Sequence, residues 1–92
     1  MADIFDRMPK QGEVWRHTKT GGLYVIEGAS FNSVTDKVDV LYKPVEACEF
    51  SFFTRQMLGH EKAFLSQNED GQPRFQRVAY DYRKWLLSQA GA

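Results

Sequence analysis

From Glu13 to Val78 apolar and polar residues alternate in short runs, and turn-forming clusters interrupt them: "KTGG" at 19–22, "FNSVTD" at 31–36 and "NEDGQ" at 68–72. A period of two is that of a strand whose two faces meet different surroundings, while Gly, Asn and Asp supply the backbone conformations that tight reversals require. The pattern predicts about five short strands. They are placed at Glu13–Thr18, Leu23–Ser30, Lys37 up to the residue before Pro44, Cys48–Arg55 and Pro73–Val78. In the second of these Leu23 and Val25 alternate with Tyr24 and Ile26, so both faces are expected to be partly covered. In the fourth, Cys48, Phe50 and Phe52 share the inward register and Phe53 falls on the other side. "QMLGHEKAFLSQ" at 56–67 reads as a helical turn weakened by Gly59.

After Val78 the period changes. Val78, Tyr82, Trp85, Leu86 and Gln89 recur at spacings of three and four, which predicts a helix over 79–90 whose apolar stripe closes over the sheet. Asp81 near its start and Arg83 and Lys84 further along are expected to suit the helix dipole. Antiparallel strands this short must cover an edge or curl to be stable alone, so the expected fold is mainly β with a C-terminal α-helix, a small SH3-like, partly open barrel of about five antiparallel strands. The 92 residues make a single domain, 1–92, with a β core over 12–78. Seven Phe, four Tyr and two Trp must fill much of that core.

Several function classes lose support on composition alone. Twelve Lys and Arg balance twelve Asp and Glu, so overall charge offers no general attraction for nucleic acid, although a local basic patch is compatible with it. No apolar run approaches the roughly 18 residues of a membrane span, and the opening "MADIFDRMPK" lacks the basic start and apolar stretch of a signal peptide. The expected setting is cytoplasmic, with no membrane. His17 and His60 belong to no short metal-binding pattern, and the glycines of "KTGG" and "EDGQ" are hairpin devices that do not feed a helix as a phosphate loop does. No metal, no cofactor and no catalytic residue are therefore assigned. Cys48 in an apolar strand reads as a small hydrophobe, and the carboxylates read as solvating charge.

A binding surface fits better. Trp15, Arg16, His17, Phe53, Arg55, Arg74 and Arg77 are the candidate binding residues, because aromatic and arginine side chains anchor protein interfaces and also form platforms for unpaired bases.

The order of short motifs adds a resemblance. "GEVWRHTKTGGLYVIEGASFNSVTDKVDVLY", then "FFTRQMLGHEKAF" and "DGQPRFQRV", resemble a bacterial and phage family, domain of unknown function family 1653. The matching positions are Trp15, His17, Lys19, Gly21 or Gly22, Tyr24 and Val25, then Ser33, Thr35, Leu41 and Tyr42, and finally Arg55, Phe64, Arg74 and Phe75. Thr18, Asn32, Val34 and Gln56 depart from its pattern. The likeness runs from about Gly12 to Val78 and implies a compact β domain resembling an SH3-type barrel, with no activity to carry over.

The leading expectation is a noncatalytic binding or adaptor domain with a protein partner, itself a monomer or weak homodimer. Three alternatives accompany it: single-stranded nucleic-acid binding through the aromatic and arginine residues, a phage or bacterial assembly component pairing through a sheet edge or the Trp85 and Leu86 helix, and a small hydrolase or transferase using His17 or Cys48.

Overall fold

A computed structural model describes residues 8–46 and 52–90. Among these residues five strands, β1 (Val14–His17), β2 (Leu23–Asn32), β3 (Lys37–Pro44), β4 (Phe53–Gln56) and β5 (Phe75–Ala79), precede a C-terminal helix, α1 (Tyr82–Ala90). They form one open antiparallel sheet in the order β4-β3-β2-β1-β5, which fits the expected small, partly open barrel.

The hairpins follow the local chemistry. Gly21 turns the chain between β1 and β2 at a φ of 78°, a left-handed conformation that favours glycine. Between β2 and β3 the Asn32 side chain accepts hydrogen bonds from the Val34 and Thr35 amides. β2 runs two residues beyond its predicted end, to Asn32, and β3 includes Pro44, which pairs with Tyr24. Proline is tolerated there because pairing with β4 ends at Tyr42 and Phe53, so its missing N–H lies beyond that ladder.

Opposed residues share a face, so the registers decide what is inside. Trp15 lies opposite Tyr24 and Arg77, His17 opposite Phe75, Ile26 opposite Tyr42, and Tyr42 opposite Phe53. This face carries the core of Trp15, Ile26, Val40, Tyr42, Met57, Phe64 and Phe75, with Tyr24 and Phe53 packed against it. Val14 and Val25, paired on the opposite face, are buried too. Val25 and Gly12 there share a small cleft with Tyr80 and Tyr82, and the Tyr82 amide bonds to the Gly12 carbonyl at 2.7 Å. Both faces of the first half of β2 are thus covered, as its mixed alternation predicted, while Ala29, Ser30 and Phe31 are exposed.

Three expectations need correction. Residues 57–67 are a turn-rich connection and contain no helix; Gly59 takes a φ of 81°, and the connection delivers Met57, Ala63 and Phe64 into the core. The β4 register is the reverse of the predicted one: Phe53 faces the core and Phe52 is half exposed, because Phe53 pairs with the inward-facing Tyr42. Cys48 to Ser51, the first half of that predicted strand, lie outside the described residues. The helix does not close over the sheet. Among its described side chains only Tyr82 and Trp85 are half-buried, their rings stacked at 6.2 Å, while Leu86 and Leu87 are exposed and Val78 belongs to β5. Phe64 occupies the core face, while Tyr82 and Trp85 line clefts with Val25 and Leu23 on the other face of β2.

Asp81 does cap the helix, its carboxylate accepting from the Lys84 amide. Arg83 and Lys84, however, fall in the first turn, where the dipole opposes positive charge.

The connection also closes the barrel. The Phe64 and Leu65 amides bond to the carbonyls of Gln56, the last residue of β4, and Met57, which follows it, and the Arg74 amide before β5 bonds to the Ser66 carbonyl. One segment therefore bridges the two edge strands at one end of the sheet. Further along, β5 has β1 as its one ladder neighbour among the described residues.

Candidate functional site

The seven candidate binding residues separate into three environments. Trp15 is in the core, 6 % exposed, edge-on to Phe64 at 5.2 Å. Its indole N–H, which needs an acceptor when buried, donates to Glu13 Oε1 at 3.0 Å. Glu13 is itself buried at 3 % exposure, accepts from the Lys10 amide at 2.8 Å and is paired through Oε2 with Arg77 at 3.3 Å. Arg77 spans this carboxylate and the surface, donating to the Tyr80 hydroxyl and lying 4.3 Å over the Tyr80 ring. Two of the expected binding residues are thus parts of a satisfied polar network, and the expectation that the carboxylates are solvated is corrected at Glu13. A buried tryptophan two residues from an acid is the one local signal that could have pointed to it.

At the other end of β1, His17 packs edge-on to Phe75 at 4.9 Å, and the Arg55 guanidinium lies 5.2 Å from the centre of the same ring. Arg55 donates to the Tyr42 hydroxyl and to the Lys62 carbonyl, and Arg74 to the Ser66 hydroxyl and the Glu61 and Gln67 carbonyls. Both arginines staple the connection to the barrel. Phe53 packs against Tyr24 and Tyr42 with centroid separations of 6.3 and 5.9 Å. The aromatic and arginine residues therefore do not assemble one exposed platform.

Burial, and then the charges of Arg55, Arg74 and Lys19, hold the His17 imidazole below its ordinary value of 6.5. As pH falls through about 6.5 the unfolded chain takes up a proton that the folded chain refuses until lower pH, so folding loses stability over that window and the loss levels off below the folded value. A urea midpoint that declines between pH 7.5 and 5, with a smaller decline in His17→Gln, is the expected result. Equal declines in the two proteins would remove His17 from the account. Its Nδ1 lies within hydrogen-bonding distance of the Thr20 hydroxyl and accepts from the Thr20 amide, tying the ring to its own turn.

Arg16 is different. It projects from the opposite face of β1, is exposed, and donates to the neutral Gln76 side chain of β5 at 2.9 Å.

A cleft of about 660 Å³ follows β5, between its edge and the connection. Leu65, Ser66 and Gln67 form one wall, Gln76 to Tyr80 the other, and Trp15 and Phe75 contribute to the floor. Val78 and Tyr80 are 40 % and 74 % exposed. Arg77 is the only charged side chain among the described residues lining it. Sequence reasoning names Arg77 and Trp15 as binding candidates, with core packing the competing reading for Trp15, but not this cleft, which depends on the path of the connection.

Among the described residues no group of three or more His, Cys, Asp or Glu could hold a metal ion, and no helix is long and apolar enough to cross a membrane. Cys48 lies outside the described residues. No protein-family model, curated protein or solved structure matches the chain.

Proposed function

We propose that this chain is a noncatalytic, cytoplasmic binding or adaptor domain that recognises a protein partner by taking an extended segment of it along β5. The supporting observation is the coincidence of a sheet edge that has one ladder neighbour among the described residues with a largely apolar cleft lined by Phe75 to Tyr80. A strand edge offers backbone hydrogen bonds to an added strand, and the adjoining walls select its side chains. The ordered-motif resemblance to family 1653 accompanies this reading and adds a bacterial or phage setting.

A protein partner is favoured over single-stranded nucleic acid by two observations. Trp15 is packed in the core, and Arg77 is already paired with Glu13. Stacking of bases requires open aromatic faces beside uncommitted cations.

The test is affinity capture of the tagged protein from nuclease-treated lysate of its native source, beside the Val78→Asp variant. Val78 lines the cleft and is part exposed, so the substitution changes the cleft while costing the fold little, about 0.5 kcal/mol. A retained protein that is lost in Val78→Asp, with hydrogen-exchange protection over 75–79 in the complex, is the expected result. Retention unchanged by the variant would overturn the cleft, and a protein set that vanishes with nuclease would place nucleic acid first.

A further inference from the structure

Three arginines flank the β5 cleft, and their commitments differ. Arg77 is neutralised by Glu13 at 3.3 Å, and Arg74 spends donors on the Ser66 hydroxyl and on the Gln67 and Glu61 carbonyls. Arg16 has no ion-pair partner among the described residues, and its guanidinium is held by Gln76 on the outer side of β5. No carboxylate lines the cleft among the described residues, in a chain whose formal charge is zero. The local balance at this edge is therefore positive.

Strand geometry converts that balance into a pattern. A peptide added to β5 presents alternate side chains to opposite faces. One set meets Leu65 and the Trp15 floor; the other runs beside Gln76, where the Arg16 guanidinium waits. We propose that the segment taken along β5 is an extended peptide alternating apolar with acidic residues, its apolar side chains packed against Leu65 and Trp15 and a carboxylate paired with Arg16. This rests on the cleft reading above and names the chemistry of its occupant. Charge complementarity of this kind sets partner choice and encounter rate.

The experiment uses the full chain, isotopically labelled, and three capped seven-residue peptides alternating valine with glutamate, glutamine or lysine. Amide shifts over 66–67 and 75–80 are expected with the glutamate and glutamine peptides. At low salt the glutamate peptide should bind about three- to fivefold more tightly than the glutamine peptide, the range of an exposed ion pair. That preference should shrink in 0.5 M salt and disappear in Arg16→Gln, which loses an exposed charge and leaves the core untouched. Equal affinities for the glutamate and glutamine peptides would overturn the acidic preference while the cleft stands. A preference that survives in Arg16→Gln would overturn the role of that residue. Absence of shifts along β5 with every peptide would overturn the cleft and this inference together.

Discussion

Replacing Phe64 with alanine is expected to destabilise the fold by about 3–5 kcal/mol, enough to leave a domain of this size partly unfolded at room temperature. Phe64 is 0 % exposed and stacks on Phe75 with centroids 4.1 Å apart and rings 4° from parallel. It also meets Trp15 and Tyr42 edge-on at 5.2 and 5.5 Å. Its removal opens a cavity between β1, β3, β5 and the connection, and the strands cannot collapse into it without breaking ladder pairs. The backbone of the same residue helps tie the connection to β4, so the loss of packing also loosens barrel closure. Urea denaturation checks the size of the effect, and near-ultraviolet circular dichroism checks the aromatic packing. Phe64→Leu, which keeps most of the volume, should cost about 1–1.5 kcal/mol. A loss below about 1 kcal/mol for the alanine variant would mean that the connection does not fill the core, since buried Phe to Ala changes cost several times that.

Glu13→Ala should cost about 2–4 kcal/mol. Removing the carboxylate strands the buried Trp15 indole N–H and leaves the partly buried Arg77 without its counter-charge. Arg77 keeps some access to water, which holds the effect toward the lower end of that range. Glu13→Gln separates the two contributions, because its amide oxygen can still accept from Trp15 and the Lys10 amide while the charge opposite Arg77 is gone. A loss of about 1–2 kcal/mol is expected for it. A cycle with Arg77→Gln should recover part of that loss, and the Trp15 indole resonance should move upfield in Glu13→Ala. An unmoved indole resonance would mean that the hydrogen bond is not formed in solution.

The burial of these two residues depends on partners distant in the chain. Glu13 is one acid among twelve acidic residues, and nothing in its neighbourhood shows that the arginine answering it lies 64 positions away. Phe64 sits in a segment whose spacing resembles a helical turn, and its burial follows from closing the sheet rather than from any local period. Phe53 faces the core against the alternation of "CEFSFFTR", because that pattern is compatible with either register until Tyr42 selects one. The candidate site suffered most, since Arg55, Arg74 and Arg77 are spent on carbonyls, hydroxyls and a buried carboxylate supplied from elsewhere in the chain.

What the amino-acid sequence determined by itself was local: where strands run, where Gly21 and Asn32 turn the chain, where the period changes and Asp81 starts a helix. Those features depend on residues within a few positions of one another, and φ preference, alternation and capping are legible at that range. The tertiary structure decided which face became the core, how the connection closed the barrel, which arginines were neutralised, and that a cleft remained along β5. Each of these depends on contacts between distant residues, whose register and burial only the completed packing can set.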